Sequence, residues 1–141
     1  MELSPKLSTQ LEPSLDFTAQ KINVLVADDS EDNLFLIRRM LTKMGLTVST
    51  ASNGIIACRM ALEGNFDLVL MDIQMPEMDG YEATKALRQQ GYSKPIIALT
   101  AHAMSQEREL TAAAGCDAHL TKPINRNELA VIINSLTRYT K

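Results

Sequence analysis

The sequence predicts an α/β domain: a doubly wound, five-stranded parallel sheet with helices on both faces, three layers in all. Three observations predict it. Apolar runs alternate with amphipathic segments five times from Lys21 onward. The runs INVLVA (22–27), FDLVLM (66–71) and PIIALT (95–100) are apolar almost throughout, as strands buried on both faces are. A chain of 141 residues suits one domain built from such units with right-handed crossovers.

Each element follows in order. Residues 1–20 carry Pro5, Pro13 and several Ser and Thr without a sustained period, so they read as a flexible leader or interdomain linker, with the domain spanning 21–141. After the strand at 22–27, Leu34, Ile37, Leu41 and Met44 recur at spacings of three and four, a helical stripe. Gly45 ends that helix as a left-handed cap. LTVSTA (46–51) alternates, which places it nearer an edge. Asn53 caps a second helix with Ile56 and Met60 on its face, closed by Gly64. The strand at 66–71 leads to a third helix, about Tyr81–Gln90, followed by Gly91. Pro95 is tolerated at the start of the fourth strand. A fourth helix covers roughly Ser105–Ala114 and stops at Gly115. AHL (118–120) is a short fifth strand. Asn125 and Glu128 stand in capping-box spacing before a fifth helix whose buried stripe is Leu129, Ile132, Ile133 and Leu136.

Composition excludes several classes. Apolar residues make up 45% of the chain, enough for a real core, and the net charge is −3 with acids and bases mixed. No basic surface for nucleic acid is evident. No apolar run approaches the ~18 residues of a membrane span, and the N-terminus has neither the basic start nor the apolar stretch of a signal peptide. Cys58 and Cys116 read as buried free thiols in a reducing cytoplasm. With His102 and His119 they do not form a zinc-ligand set. Most of the eight methionines read as core filler, with Met104 a candidate for a partner-binding face.

The chemistry lies where the strands end. In such sheets ligands sit beyond the carboxyl ends of the strands. Strand one delivers Asp28 and Asp29, strand three Asp72, strand four Thr100 and the small Ala101, and strand five is followed by Lys122 and Pro123. Three crowded carboxylates repel one another and raise one another's pKa. A divalent cation relieves this, and magnesium suits hard oxygen ligands and retains exchangeable waters. Lys122 adds a point charge for Asp72 or a phosphoryl oxygen, and Thr100 can donate a hydrogen bond to the same oxygen. The set suits phosphoryl transfer with Asp72 as nucleophile. Plainer readings exist: Asp28 and Asp29 as a helix N-terminal cap, Thr100 as an ordinary strand-end residue, His119 as a half-buried filler.

The residues carry a resemblance. VLVADDSEDN, LVLMDIQMPEMDG, PIIALTA and LTKP together resemble the motifs of two-component response-regulator receiver domains, over about residues 21–139. The spacings between Asp28, Asp72, Thr100 and Lys122 are 44, 28 and 22 residues. The run QMPEMDGYEATKALR resembles receivers of hybrid sensor histidine kinases. The resemblance implies the flavodoxin-like strand order 2-1-3-4-5. It implies that Asp29 ligates Mg2+ directly, Asp28 largely through water, and that the Gln74 backbone carbonyl is a further ligand beside Asp72. A cis bond between Lys122 and Pro123 is implied as well. The implied function is that of a phosphoacceptor: Asp72 takes a phosphoryl group from a phosphohistidine on a histidine kinase or histidine phosphotransfer domain. The domain catalyses much of that step itself, and slow hydrolysis resets it. Output through the face made by the fourth helix, fifth strand and fifth helix is implied, and that face is a candidate homodimer surface. The chain's end just after the fifth helix leads to the expectation of no DNA-binding output domain, hence a stand-alone receiver or one cut from a larger kinase. His119 departs from the family's usual Tyr or Phe, so its part in the switch with Thr100 is expected to be weaker or differently coupled. His102 and Gln74 flank the path of hydrolytic water in the family.

Other classes fit less well. An aspartyl-nucleophile, magnesium-dependent phosphatase wants a second acid two residues after Asp72, where Gln74 stands. A flavodoxin-like cofactor binder wants a Gly-, Ser- or Thr-rich phosphate loop after strand one, where ADDSED is acidic. A degenerate receiver that only binds partners would not need the complete acid, Thr and Lys set.

Overall fold

The computed structural model describes residues 16–101 and 105–138. Strands β1 (Asn23–Ala27), β2 (Thr47–Ala51), β3 (Leu68–Asp72), β4 (Ile96–Thr100) and β5 (Ala118–Thr121) form one parallel sheet in the order β2-β1-β3-β4-β5. Helices α1 (Glu31–Lys43), α2 (Gly54–Glu63), α3 (Gly80–Gln89), α4 (Ser105–Ala114) and α5 (Arg126–Arg138) connect and follow them. The expected fold class and strand order are both present. Ends differ from the expected ones by a residue or two, the usual uncertainty of fraying termini.

Alternation along the strands divides the core into two layers. Val24 and Val26, Leu68 and Leu70, and Ile97 and Leu99 meet Ile37 and Leu41 of α1 and Leu129, Ala130 and Ile133 of α5. The alternate residues Leu25, Val69, Met71 and Ile96 meet Ala57 and Ala61 of α2 and Ala83 and Leu87 of α3. All five residues of β3 and of β4 are buried, whereas β2 is half-exposed. The continuous and the alternating apolar runs therefore mark central and edge positions as expected.

The packed unit extends beyond Lys21, into the stretch expected to be a leader. Phe17 is fully buried among Ile22, Met44 and Leu46. Its N–H donates to the Met44 carbonyl at 2.6 Å, and Thr18–Gln20 form a 3-10 turn. Gly45 caps α1 with φ +89°, and a Cβ there would strike Thr18. Residues 1–15 of the expected leader, like His102 and Met104, lie outside the described residues.

Candidate functional site

The parallel register brings the carboxyl ends of β1, β3, β4 and β5 to one rim. Ala27 pairs with Met71, Asp72 with Leu99, and Thr100 with Thr121. Asp28 is therefore delivered beside Asp72, and Lys122 beside Thr100, whose carbonyl accepts the Lys122 N–H at 2.7 Å. Asp28, Asp72 and Thr100 are buried, and Asp29 is exposed. One carboxylate oxygen from each of Asp28, Asp29 and Asp72 lies within 4.8 Å of the others.

Lys122 crosses this cluster. Its Nζ lies 2.9 Å from Asp72 Oδ2 and 3.2 Å from Asp28 Oδ2. Around it, backbone and side-chain donors hold the acids. The Ser30 N–H donates to Asp28 Oδ1 at 2.9 Å, Asn33 Nδ2 to Asp28 Oδ2 at 3.4 Å, and the Gln74 N–H to Asp72 Oδ1 at 3.2 Å. Ser30 also caps α1, accepting from the Asn33 N–H. The start of α1 is thus tied to Asp28, so capping and the acid cluster share residues. The peptide bond between Lys122 and Pro123 is cis, as expected.

Electrostatics follow from burial. Loss of water pushes the Asp72 carboxyl above its ordinary range; the Lys122 bond opposes this, and the charge of Asp28 adds to it. Burial also acts to lower Lys122, but its bonds to Asp72 and Asp28 and their charges outweigh that and hold the ammonium above its usual value. A site with three acids and one lysine carries excess negative charge in a poorly solvated place. Its donor set is hard oxygen, and Asp29 is open to a cleft of about 550 Å³ lined also by Gln74, Met75, Pro76 and Glu107. These residues fit a small divalent cation such as Mg2+.

The loop after β3 is built to fold back over Asp72. Asp79 caps α3 in a reciprocal box with Glu82, at 2.9 and 3.0 Å. At Gly80 a Cβ would fall on the Asp72 carbonyl oxygen, so the turn cannot approach the strand with any larger residue. The Gly80 N–H closes the loop onto the Ile73 carbonyl at 2.9 Å.

The response regulator receiver domain family matches residues 24–134. The chain belongs to this family.

The receiver is 42% identical over 127 residues to the sensor histidine kinase GacS of Pseudomonas protegens. That match covers 86% of this chain and 14% of the kinase, so the receiver spans a small part of the length of its curated relatives. Among solved structures, the receiver domain of sensor histidine kinase PA1611 from Pseudomonas aeruginosa has a TM-score of 0.78 and 37% identity, covering 84% of this chain and 98% of that one. It carries a magnesium ion coordinated in its active site cleft. The Saccharomyces cerevisiae receiver of Ssk1, solved in complex with the histidine phosphotransfer protein Ypd1, has a TM-score of 0.77 and 32% identity, covering 84% and 90%.

The structure brings together Asp28, Asp29, Asp72 and Lys122, with the Gln74 N–H on Asp72 and the Thr100 carbonyl on the Lys122 N–H. His119 lies apart on β5, paired with Ala98 and half-buried. Burial lowers its pKa, Arg108 adds to this, and Glu107 and Glu128 oppose it. Ser30 and Asn33 were not legible as site residues; the only signal is their place at the start of α1 just after the acid pair. Among the described residues no helix is long and apolar enough to cross a membrane.

Proposed function

We propose that this receiver takes a phosphoryl group from a phosphohistidine onto Asp72, in a Mg2+-dependent step of a His-to-Asp relay. The observation that carries the reading is the bridge of Lys122 between two buried acids, beside the oxygen cluster of Asp28, Asp29 and Asp72. Asp28, Asp29, Asp72 and the Gln74 carbonyl are the groups that would hold the ion. When bound, magnesium supplies positive charge to the acid cluster and to the incoming phosphoryl oxygens.

This chain's residues do the rest. A carboxylate oxygen of Asp72 attacks phosphorus, the P–N bond breaks, and its electron pair leaves on the imidazole of the donor. Lys122, held in place by the two acids, neutralises charge on the transferring group. Thr100, at the buried end of β4, donates its hydroxyl to a phosphoryl oxygen. Burial keeps water scarce and so slows hydrolysis. His119 of β5 feels the charges of Arg108 and Glu107 on α4 and of Glu128 on α5, and it couples the change to the α4-β5-α5 face, the output surface and candidate face for a second copy, more weakly or differently than the family's usual Tyr or Phe. The donor is a histidine kinase or histidine phosphotransfer domain, and the setting is the cytoplasm. The Ssk1 receiver's complex with Ypd1 supports that class of partner.

The test is incubation with acetyl phosphate and Mg2+, followed by intact mass. One added phosphoryl group is expected, labile in base and absent in Asp72→Asn. Sustained turnover of generic phosphate esters would instead support the phosphatase reading.

A further inference from the structure

Among the described residues of helix α4, the buried side chains lie in its second half. Gln106, Arg108, Glu109 and Leu110 are exposed and Glu107 is half-buried, with its Oε2 shut off from water without a hydrogen-bond partner, so no described residue of the first half is buried as a whole. Thr111 and Ala114, in its second half, are. These are small groups, so little apolar burial holds the helix down. Its C-terminal turn, by contrast, is densely bonded. The Cys116 N–H donates to the Thr111 carbonyl at 3.0 Å, and the Asp117 N–H to the Ile96 carbonyl at 2.8 Å.

Arg88, in the last turn of α3, ties that turn to its surroundings. Nε donates to the Gly115 carbonyl at 2.9 Å, Nη1 to the Tyr92 and Lys94 carbonyls at 2.7 and 2.9 Å, and Nη2 to Asp117 Oδ2 at 2.9 Å. Asp117 Oδ2 also accepts the N–H of Ile96, the first residue of β4. Gly115 has φ +112°, and a Cβ there would meet Arg88 Cγ at 2.7 Å. One guanidinium therefore joins α3, the loop to β4 and the turn from α4 to β5. Its planar fork is what lets one side chain serve four acceptors.

We propose that Arg88 is the pivot of α4. On phosphorylation of Asp72 the first half of the helix shifts, while the second half and the turn at 115–117 stay pinned. β5 therefore keeps its register with β4, and Lys122 keeps its place. Arg88 is a positioning residue, and its role rests on the function proposed above.

Amide hydrogen exchange tests this, with and without beryllium fluoride and Mg2+ as a stand-in for the phosphoryl group. In the unaltered chain the exchange change is expected at 106–110, with 111–117 unaltered. In Arg88→Met the change is expected to spread to 111–117 with at least about a tenfold loss of protection there, while the rate of phosphorylation by acetyl phosphate stays within about twofold. Arg88→Lys is expected to behave as Arg88→Met, because an ammonium cannot reproduce the fork. Asp117→Asn keeps the shape and removes one charged acceptor; it is expected to show the same spread in smaller degree and serves if Arg88→Met does not fold. A uniform change along α4 in the unaltered chain overturns the pivot. So does an Arg88→Met protein that exchanges faster at 111–117 but still confines the beryllium fluoride response to 106–110. Absence of a phosphoryl adduct in the unaltered chain, read by intact mass, would instead overturn the phosphoacceptor reading and the pivot with it.

Discussion

At Asp72, burying a carboxylate among other acids weakens the fold. Its pKa is raised, mainly by loss of water and in part by Asp28. The folded state therefore holds a proton that the unfolded chain has released, and stability falls as pH rises from about 3.8 through the raised value. Without divalent cation, Asp72→Asn is expected to raise the unfolding midpoint at neutral pH. Added Mg2+ is expected to stabilise the unaltered protein by about 2.7 kcal/mol at a hundredfold excess over its Kd, and the Asn variant clearly less. Thermal melts with and without the ion check both. His119 has the opposite sign of shift: burial first, then Arg108, disfavours its protonated form in the fold. Its contribution is present above the unfolded value of about 6.5 and is lost as pH falls through that value toward the lowered one. Denaturation at about pH 7.5 and about pH 5.5 is expected to show a larger loss in the unaltered chain than in His119→Gln.

Among the elements, the segment before β1 contributes more than its composition suggests. Phe17 fills the end of the layer made by Met44, Leu46 and Ile22. Phe17→Ala is expected to cost about 3–5 kcal/mol through lost burial and the cavity left behind. A chain begun at Lys21 is expected to lose at least as much; urea titration measures both. This contribution was hidden in the sequence, because a lone aromatic in a polar, proline-bearing stretch has no period to reveal it. The strands were legible for the opposite reason. Burial on both faces forces β1, β3 and β4 to be apolar almost throughout, while Gly45 and Gly64 mark helix ends by backbone freedom and Asn53 by its side-chain cap. The bonding of Arg88 was also hidden, since three of its four acceptors are backbone carbonyls, which every residue has.

The whole molecule turns a topology into one cluster of acids and a lysine. Strand order β2-β1-β3-β4-β5 puts β3 in the middle with β1 and β4 at its sides, so acids separated by 44 residues in sequence meet at one rim. That much could be read from the sequence, because each acid, the threonine and the lysine follow an apolar run. The donors that orient them, Ser30, Asn33 and the Gln74 N–H, could not. They depend on where α1 and the loop after β3 fall in space. The pairing of Lys122 with Asp28 as well as Asp72 likewise needs the third dimension.

On the proposed function, Asp72 and no neighbouring acid becomes phosphorylated. The most direct measurement is acetyl phosphate treatment with Mg2+, borohydride reduction of any acyl phosphate, and tandem mass spectrometry of the peptides. Reduction to homoserine is expected at position 72 alone. Reduction at Asp28 or Asp29, or none anywhere in a folded protein with bound magnesium, would contradict it.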